Sequence, residues 1–252
     1  MAGGCVVLLE SPRYDVPAIL ATLQHERITH LCCTPSAFYP LIENPAHFAQ
    51  LASLKHLALG GENISLPRLQ AWRDNPHNHA HLTNCYGPTE CSANVALYRW
   101  AHGAAAPEGA GLPIGRPIAN TRLHVLDEQL QAVAIGQEGE LCIAGAGVAQ
   151  GYHQRPELTA ERFVDEPGDA GRMYRSGDRA RWRADGQLEL LGRKDRQVKV
   201  RGVRIELDEV EAVLARHPAV RGAAVAVNGE RLCAYVVAAG ADAHQLRSHL
   251  AQ

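Results

Sequence analysis

Three apolar segments of strand length, each followed by a segment with helical spacing, constrain the fold of the N-terminal part of the chain more than any other feature. The predicted strands are residues 5–9, 29–33 and 54–59, and the predicted helices are residues 15–27, 35–42 and 67–73. Strands that alternate with helices in this way predict a parallel sheet of the α/β class. Ligands of such sheets bind beyond the carboxyl ends of the strands. We expect Gly60 and the segment 84–86 at two of these ends.

The apolar run at residues 5–9 is continuous, which is typical of a strand that is buried on both faces and has a neighbour on each side. No earlier segment supplies such a neighbour, and residues 244–252 begin a helical pattern that stops at once. We therefore expect the chain to be an internal piece of a longer protein.

From Ala101 onward the pattern changes to short strands separated by glycine-containing turns. Strands are predicted at residues 122–127, 140–144, 173–174, 180–183 and 187–191, and a helix at residues 157–163. This pattern predicts a β-barrel-like subdomain. A charged run at residues 192–196 marks a boundary, so we assign residues 1–194 to a large domain and residues 195–252 to a small α+β domain. Within the small domain the predicted strands are residues 197–200, 223–227 and 232–238, and the predicted helix is residues 207–216.

Composition limits the partners of the chain. A net charge of −2 gives no reason to expect nucleic acid or an anionic membrane, and no apolar run is long enough to span a bilayer. Seven scattered cysteines without Cys-x-x-Cys spacing argue against disulfides and structural zinc, which favours a cytoplasmic location. His77, His79 and His81 lie in a polar loop without an accompanying carboxylate, so a metal site there is not favoured.

The segment 84–90 (NCYGPTE) concentrates the chemistry. Gly87 and Pro88 force a turn, which Asn84 and Tyr86 precede and Thr89 and Glu90 follow. The loop thus offers an aromatic ring for stacking on a base, an amide for the base edge, and oxygens for Mg²⁺ and phosphate. This combination indicates a nucleoside-triphosphate site. The alternative is a capped turn in which Thr89 and Glu90 serve only the backbone.

Other polar residues allow a functional and a purely structural interpretation. Asp178 follows a glycine between two predicted strands, where it suits either a ribose diol or a surface turn. Arg193 suits a contact with a nucleotide, and Asp195 suits a pivot whose backbone torsions change between two states. The alternative is that both belong to an exposed charged linker. Gly202 allows the close approach of another chain, although a strand end with solvated charges explains it as well.

Four motifs in one order resemble the adenylation domain of nonribosomal peptide synthetases, which belong to the adenylate-forming enzymes. They are residues 84–90, 139–152 (GELCIAGAGVAQGY), 174–178 (YRSGD) and 192–211 (GRKDRQVKVRGVRIELDEVE). The resemblance covers essentially the whole chain. It implies that an amino-acid carboxylate attacks the α-phosphorus of Mg·ATP, which gives an aminoacyl-adenylate and pyrophosphate. The phosphopantetheine thiol of a carrier protein then takes the acyl group.

The resemblance also implies roles for individual residues. Tyr86 would stack on adenine, while Asn84 and the backbone of Cys85 would bind its edge. Gly61 and Glu62 would lie near the other face of the base. Thr89 would contact the phosphate, Glu90 would hold Mg²⁺, and Asp178 would bind the ribose with Arg193 nearby. Asp195 would be the hinge of the mobile small domain. Lys199, Gly202 and Arg204 would line the path of the thiol arm, and Lys199 would also swing towards the nucleotide.

Substrate specificity would fall to a set of mostly small residues, which predicts a roomy pocket. They are Cys32, Ala58, Gly60, Cys85, Ala93 and Asn94. The Asn94 amide would suit a polar substrate side chain. The implied partners are a peptidyl carrier protein and condensation domains of the same assembly line.

Three parts of the family pattern lie outside these 252 residues: a phosphate loop that ends in Lys-Gly, an Asp for the substrate amine, and a catalytic Lys. We therefore expect the chain to be inactive alone. The alternatives are an acyl-CoA or aryl-acid ligase of the same superfamily and a non-catalytic remnant or docking module.

Overall fold

The computed structural model describes residues 4–9, 14–107, 111–168, 171–229 and 231–251. The chain divides into two compact units, Met1–Gly192 and Arg193–Gln252. That the segment 195–252 moves as a hinged domain stays a prediction. Within the described ranges, no helix combines the length and the apolar character that crossing a bilayer requires.

The first sheet of the large unit is mixed. Its elements are α1 (Val16–His25), β1 (His30–Cys33), α2 (Pro35–Ile42), β2 (His56–Gly60), α3 (Leu66–Arg73), β3 (His81–Tyr86), β4 (Ala96–Trp100) and β5 (Arg116–Pro117), with 3-10 helices at Pro45–Leu51 and Thr89–Cys91. The strands lie in the order β1-β2-β3-β4-β5. The pairs β1–β2 and β2–β3 are parallel, which confirms the predicted α/β arrangement, whereas β4 and β5 are antiparallel additions.

Residues 5–9 are a correction, because the predicted strand does not form. The segment is irregular, and the side chains of Val6 and Leu8 are 83% and 82% exposed. An apolar run becomes a strand only when a neighbouring strand pairs its backbone groups. Among the described residues no strand pairs with this segment, and β1 is the edge of the sheet.

The helices cover one face of this sheet. Leu57, Leu59 and Leu82 are fully buried in the core on that face. Phe38 of α2 and Trp72 of α3 join the same core and meet edge to face at 5.1 Å. Because side chains alternate along a strand, the intervening residues of β1, β2 and β3 lie on the opposite face.

The second sheet of the large unit is antiparallel and confirms the barrel-like subdomain. Its elements are β6 (Thr121–Leu126), β7 (Gly139–Gly145), α4 (Pro156–Arg162), β8 (Phe163–Asp165), β9 (Arg172–Trp182) and β10 (Leu188–Arg193). The order is β10-β9-β7-β6, and β8 pairs with β9. The two strands predicted at residues 173–174 and 180–183 belong to one strand, β9. Its pairing with β7 contains an irregularity.

Within residues 193–229 and 231–251, the small unit consists of two hairpins and two helices. Its elements are β11 (Gln197–Val200), β12 (Val203–Glu206), α5 (Leu207–Ala215), β13 (Val220–Asn228), β14 (Arg231–Ala238) and α6 (Ala243–Leu250). Strand β12 was not predicted, whereas the other strands and α5 lie where the sequence pattern predicts them. Leu207 and Leu214 of α5 and Val225 of β13 form the buried core.

Candidate functional site

The turn between β3 and β4 is closed by its own backbone. Val95 donates its N–H to the carbonyl of Tyr86 at 2.8 Å. A Cβ atom on Gly87 would lie 2.2 Å from the carbonyl oxygen of Ala93, so only glycine fits at this position. Thr89 and Glu90 begin the 3-10 helix in the middle of the turn. The tight turn thus holds the motif just beyond the carboxyl end of β3.

Tyr86 and Asp178 meet at this edge. The phenol of Tyr86 donates a hydrogen bond to Oδ2 of Asp178, and 9% of the tyrosine is exposed. The aromatic ring and the carboxylate come from separate motifs, on β3 and β9. The structure therefore places the two predicted ligands of base and ribose side by side.

A bulge in β9 presents Asp178, which corrects its predicted position between two strands. The register shifts opposite Glu140, and Gly177 has φ of +75°. The Glu140 carboxylate accepts from Nη2 of Arg175 at 2.8 Å and from the backbone N–H of Gly177 at 3.2 Å. The hydroxyl of Ser176 accepts from the backbone N–H of Asp178 at 3.0 Å. β-Bulges often redirect a side chain next to an active site. This bulge is stabilised by Glu140 of β7 and by Ser176 within the bulge itself.

Glu90 is nearly buried, with 8% of its surface exposed, and Thr89 beside it is exposed. Tyr152 donates its phenol O–H to Oε1 of Glu90 at 2.6 Å. Burial and this hydrogen bond raise the pKa of Tyr152 well above its usual value, so the phenol stays protonated. Tyr152 closes the motif at residues 139–152, but the sequence alone assigned it no role. It is a site residue that sequence reasoning missed, as are Glu140 and Ser176.

The side chains of Asn84 and Glu62 are engaged with the protein. Nδ2 of Asn84 donates to the carbonyl of Pro113 at 2.8 Å. The Glu62 carboxylate accepts from the N–H and the hydroxyl of Ser36, at 2.8 and 2.9 Å, at the start of α2. Gly61, with φ of +86°, forms the turn after β2. These contacts fix the two strand ends, and any contact of residues 61, 62 and 84 with a base stays a prediction.

Four of the six predicted pocket residues lie on one face of the first sheet. Cys32 pairs with Ala58, and Gly60 pairs with Cys85, on the face opposite the leucine core. Burial raises the pKa of the Cys85 thiol, so Cys85 stays protonated. Ala93 and Asn94 are exposed in the turn that packs on Gly87. The sheet face and the turn lie at the same carboxyl end of β3.

The predicted hinge and thiol-path residues lie in the small unit. The Arg193 guanidinium forms two hydrogen bonds with the Asp195 carboxylate, at 2.6 and 2.7 Å. Lys199 and Arg204 are opposite each other in the β11–β12 hairpin, whose turn contains Gly202 with φ of +78°. The structure thus brings the three predicted thiol-path residues into one hairpin.

Among the residues that the structure describes, cysteines and histidines form neither a disulfide nor a cluster suited to a metal ion. All seven cysteines lie in the described ranges, and none of them forms a disulfide. Nowhere in the described part of the chain do three metal-binding side chains converge, and this includes His77, His79 and His81.

Protein-family models match both ends of the chain. The model of the AMP-binding enzymes matches residues 1–153, and the model of the AMP-binding enzyme C-terminal domain matches residues 209–252. The chain is 44% identical over 248 residues to a dimodular nonribosomal peptide synthase of Bacillus subtilis. The match covers 93% of this chain and 10% of that protein, so the chain spans about a tenth of this relative.

Two solved structures have the same fold. One is an adenylation and PCP di-domain made from NpsA and ThdA of Klebsiella oxytoca, with a TM-score of 0.80 and 31% identity over 94% of this chain and 44% of that chain. The other is holo-PA1221, which contains adenylation and PCP domains, with a TM-score of 0.84 and 32% identity over 94% of this chain and 42% of that chain. The predicted resemblance to adenylation domains is thereby confirmed. Because a family model matches more than half of its length, the chain belongs to the AMP-binding enzymes.

Proposed function

We propose that this chain forms part of an amino-acid adenylating site of nonribosomal peptide synthesis. The observation that carries the proposal is the contact between Tyr86 and Asp178, which joins an aromatic ring to a carboxylate. A ring next to a carboxylate suits the base and the ribose hydroxyls of one nucleoside. The family match supports a nucleotide in place of another aromatic ligand.

In the proposed reaction an oxygen of the amino-acid carboxylate attacks the α-phosphorus of ATP. The bond between that phosphorus and the bridging oxygen breaks, and pyrophosphate leaves. Glu90 fits the magnesium ion of the nucleotide complex, because Mg²⁺ binds through one or two carboxylates plus substrate phosphates. Bound there, the ion would neutralise phosphate charge. Thr89, which is exposed next to Glu90, would donate to a phosphate oxygen.

In the second half-reaction the thiol of a phosphopantetheine arm attacks the acyl carbon and loses its proton. The bond between that carbon and the phosphate oxygen breaks, and AMP leaves. The partners are then a peptidyl carrier protein and condensation domains in the same cytoplasmic assembly line. Lys199, Gly202 and Arg204 share one hairpin, which supports their assignment to a common surface for the arm. The Arg193–Asp195 pair supports a defined pivot ahead of that hairpin.

Nucleotide binding tests the proposal at the site itself. We expect AMP to bind the chain, and we expect Asp178→Ala to weaken binding by about 10- to 100-fold, because hydrogen bonds to a charged group contribute about 1.5–3 kcal/mol. Asp185→Ala is the matched control, since Asp185 is an exposed carboxylate in the β9–β10 turn of the same sheet. Titration calorimetry measures both. Equal AMP affinity of the wild type and Asp178→Ala would show that Asp178 does not bind the ribose.

Pyrophosphate exchange on the product of the complete reading frame tests the substrate class. Exchange that depends on an amino acid supports the proposed reaction. Exchange with aryl or fatty acids alone would assign the site to the acyl and aryl-acid ligases. No exchange, together with a partner protein that binds equally to wild type and Asp178→Ala, would identify a docking module.

A further inference from the structure

The segment from Gly145 to Tyr152 lies against the 3-10 turn that carries Glu90. Ala149 donates its N–H to the carbonyl of Glu90 at 2.8 Å. The hydroxyl of Ser92 donates to the carbonyl of Gly147 at 3.0 Å. The third contact is the phenol of Tyr152, 62 positions from Glu90 in the chain, on Oε1 of that residue. The segment thus fixes both the backbone and the carboxylate of Glu90.

Tyr152 is itself held by neighbours other than Glu90. Its backbone N–H donates to Oγ1 of Thr159 in α4 at 2.9 Å. Its ring packs edge-on against Phe163 of β8, with the ring centroids 5.4 Å apart. Since backbone and ring are both anchored, the position of the phenol oxygen is set by α4 and β8. The hydrogen bond to Glu90 therefore fixes the Glu90 carboxylate relative to these two elements.

We propose that Tyr152 is a positioning residue that holds the Glu90 carboxylate in the orientation in which it binds the magnesium ion of the nucleotide complex. The inference rests on the proposed function. The terminal torsion of a glutamate is broad, so an unsupported carboxylate samples many orientations. A donor fixed on one carboxylate oxygen removes that freedom before the metal arrives, as partners of metal ligands commonly do. The phenol-to-carboxylate bond is charge-assisted and hence among the stronger hydrogen bonds.

The test measures how much magnesium strengthens nucleotide binding. Calorimetry gives the Kd of a non-hydrolysable ATP analogue in EDTA and in excess Mg²⁺, and the ratio of the two is the magnesium gain. Because Tyr152 acts through Glu90 in this proposal, Tyr152→Phe should reduce the gain by about tenfold, the size expected for the partner of a metal ligand. The Kd in EDTA should not change, which also shows that the variant is folded.

Two further variants complete the test, one at the turn and one at Glu90 itself. Ser92→Ala removes another contact between the same two segments but leaves the carboxylate alone, so it should keep the full gain. Glu90→Asp keeps the charge but draws the carboxylate away from both the phenol and the metal, so it should lose the gain whether or not Tyr152→Phe folds. Its loss sets the full size of the Glu90 contribution.

A full magnesium gain in Tyr152→Phe or in Glu90→Asp would overturn the inference and leave the proposed function intact. An equal loss in Ser92→Ala would also overturn it, because the turn as a whole would then be responsible. If the wild-type protein binds the analogue without any gain from Mg²⁺, the role of Glu90 is wrong and the inference falls with it. If the wild type does not bind the analogue at all, the proposed function itself fails.

Discussion

A hydrogen bond joins Tyr86 to Asp178, although 92 positions separate them in the chain. Neither residue is informative alone, because a tyrosine near a turn and an aspartate after a glycine are common on protein surfaces. Their contact is informative because the first sheet supplies one partner and the bulge in β9 supplies the other. The bulge costs β9 part of its regular pairing with β7. At the scale of residues, the site thus forms where the end of β3 meets the bulge in β9.

Gly87→Ala tests how far the turn depends on close backbone approach. The new Cβ would lie 2.2 Å from the carbonyl oxygen of Ala93 and 2.9 Å from Cα of Asn94, and backbone atoms cannot move aside cheaply. We expect the melting temperature to fall by several degrees, consistent with a loss of about 1–3 kcal/mol for overpacking. AMP affinity should fall as well, because the turn follows Tyr86 directly.

The control for this change is Gly111→Ala. A Cβ atom at Gly111 would meet nothing within 4 Å, and its backbone does not require a positive φ. We expect stability and AMP binding equal to wild type in differential scanning calorimetry and titration calorimetry. Equal stability of Gly87→Ala and Gly111→Ala would show that the turn adapts easily and does not position Tyr86.

At the scale of elements, a row of histidines crosses the three parallel strands at their amino ends. His30, His56 and His81 are register partners, and the ring centroids are 4.5 and 5.7 Å apart. Partial burial lowers the pKa of His56, and His30, Arg99, His81 and Lys55 add to the effect. Each of these neighbours is basic, so none stabilises a protonated His56.

This row predicts a loss of stability in mild acid. The pKa of His56 is lower in the folded chain than in the unfolded chain, where it is about 6.5. The unfolded chain therefore binds the proton more readily, so the contribution of His56 to stability is complete above that pH and declines as the pH falls below it. We expect His56→Gln to show a smaller drop in melting temperature between neutral pH and pH of about 5 than the wild type. Identical pH profiles would exclude His56 as the cause.

The same elements show what the sequence was able to predict. Helix α2 was predicted with its observed bounds because Pro35, at its first turn, is a local signal. The structure adds a cap by Thr34. Strand β4 was missed, since its pairing depends on the turn that returns the chain beside β3. Residues 5–9 have a strand-like composition but no pairing partner among the described residues. Local chemistry predicted the elements, whereas pairing required the tertiary structure.

The candidate site shows the same limit. The sequence pointed to Tyr86, Glu90 and Asp178 because each belongs to a short motif with a chemical reason of its own. It gave no role to Tyr152, whose importance depends on a contact with Glu90 across 62 positions. No periodicity or spacing within the chain encodes that contact. A residue that supports a metal-binding side chain, as Tyr152 supports Glu90 in our proposal, can be recognised only when the structure shows the contact between the two.

At the scale of the whole molecule, the small unit contains a network of hydrogen bonds and ion pairs around Arg196, which we call the clasp. Its other members are Asp208, Glu211 and the backbone of Val225. The Arg196 guanidinium donates to Asp208 at 2.7 Å and to both oxygens of Glu211 at 2.8 and 2.9 Å. It also donates to the carbonyl of Val225, whose own N–H donates to Glu211 at 2.6 Å. The clasp therefore joins the start of the unit to α5 and β13.

Because the clasp lies entirely within the unit Arg193–Gln252, its removal tests whether that unit unfolds independently. Arg196→Met keeps an apolar stem of similar length but loses every donor of the guanidinium. We expect amide hydrogen exchange to accelerate in α5 and β13, since local opening no longer breaks charge-assisted contacts. Exchange in β1, β2 and β3 should stay as in the wild type.

The control is Arg179→Met, which removes an exposed ion pair with Glu138 in the large unit and should leave exchange in the small unit unchanged. Acceleration in both units of Arg196→Met would mean that the chain unfolds as one cooperative body.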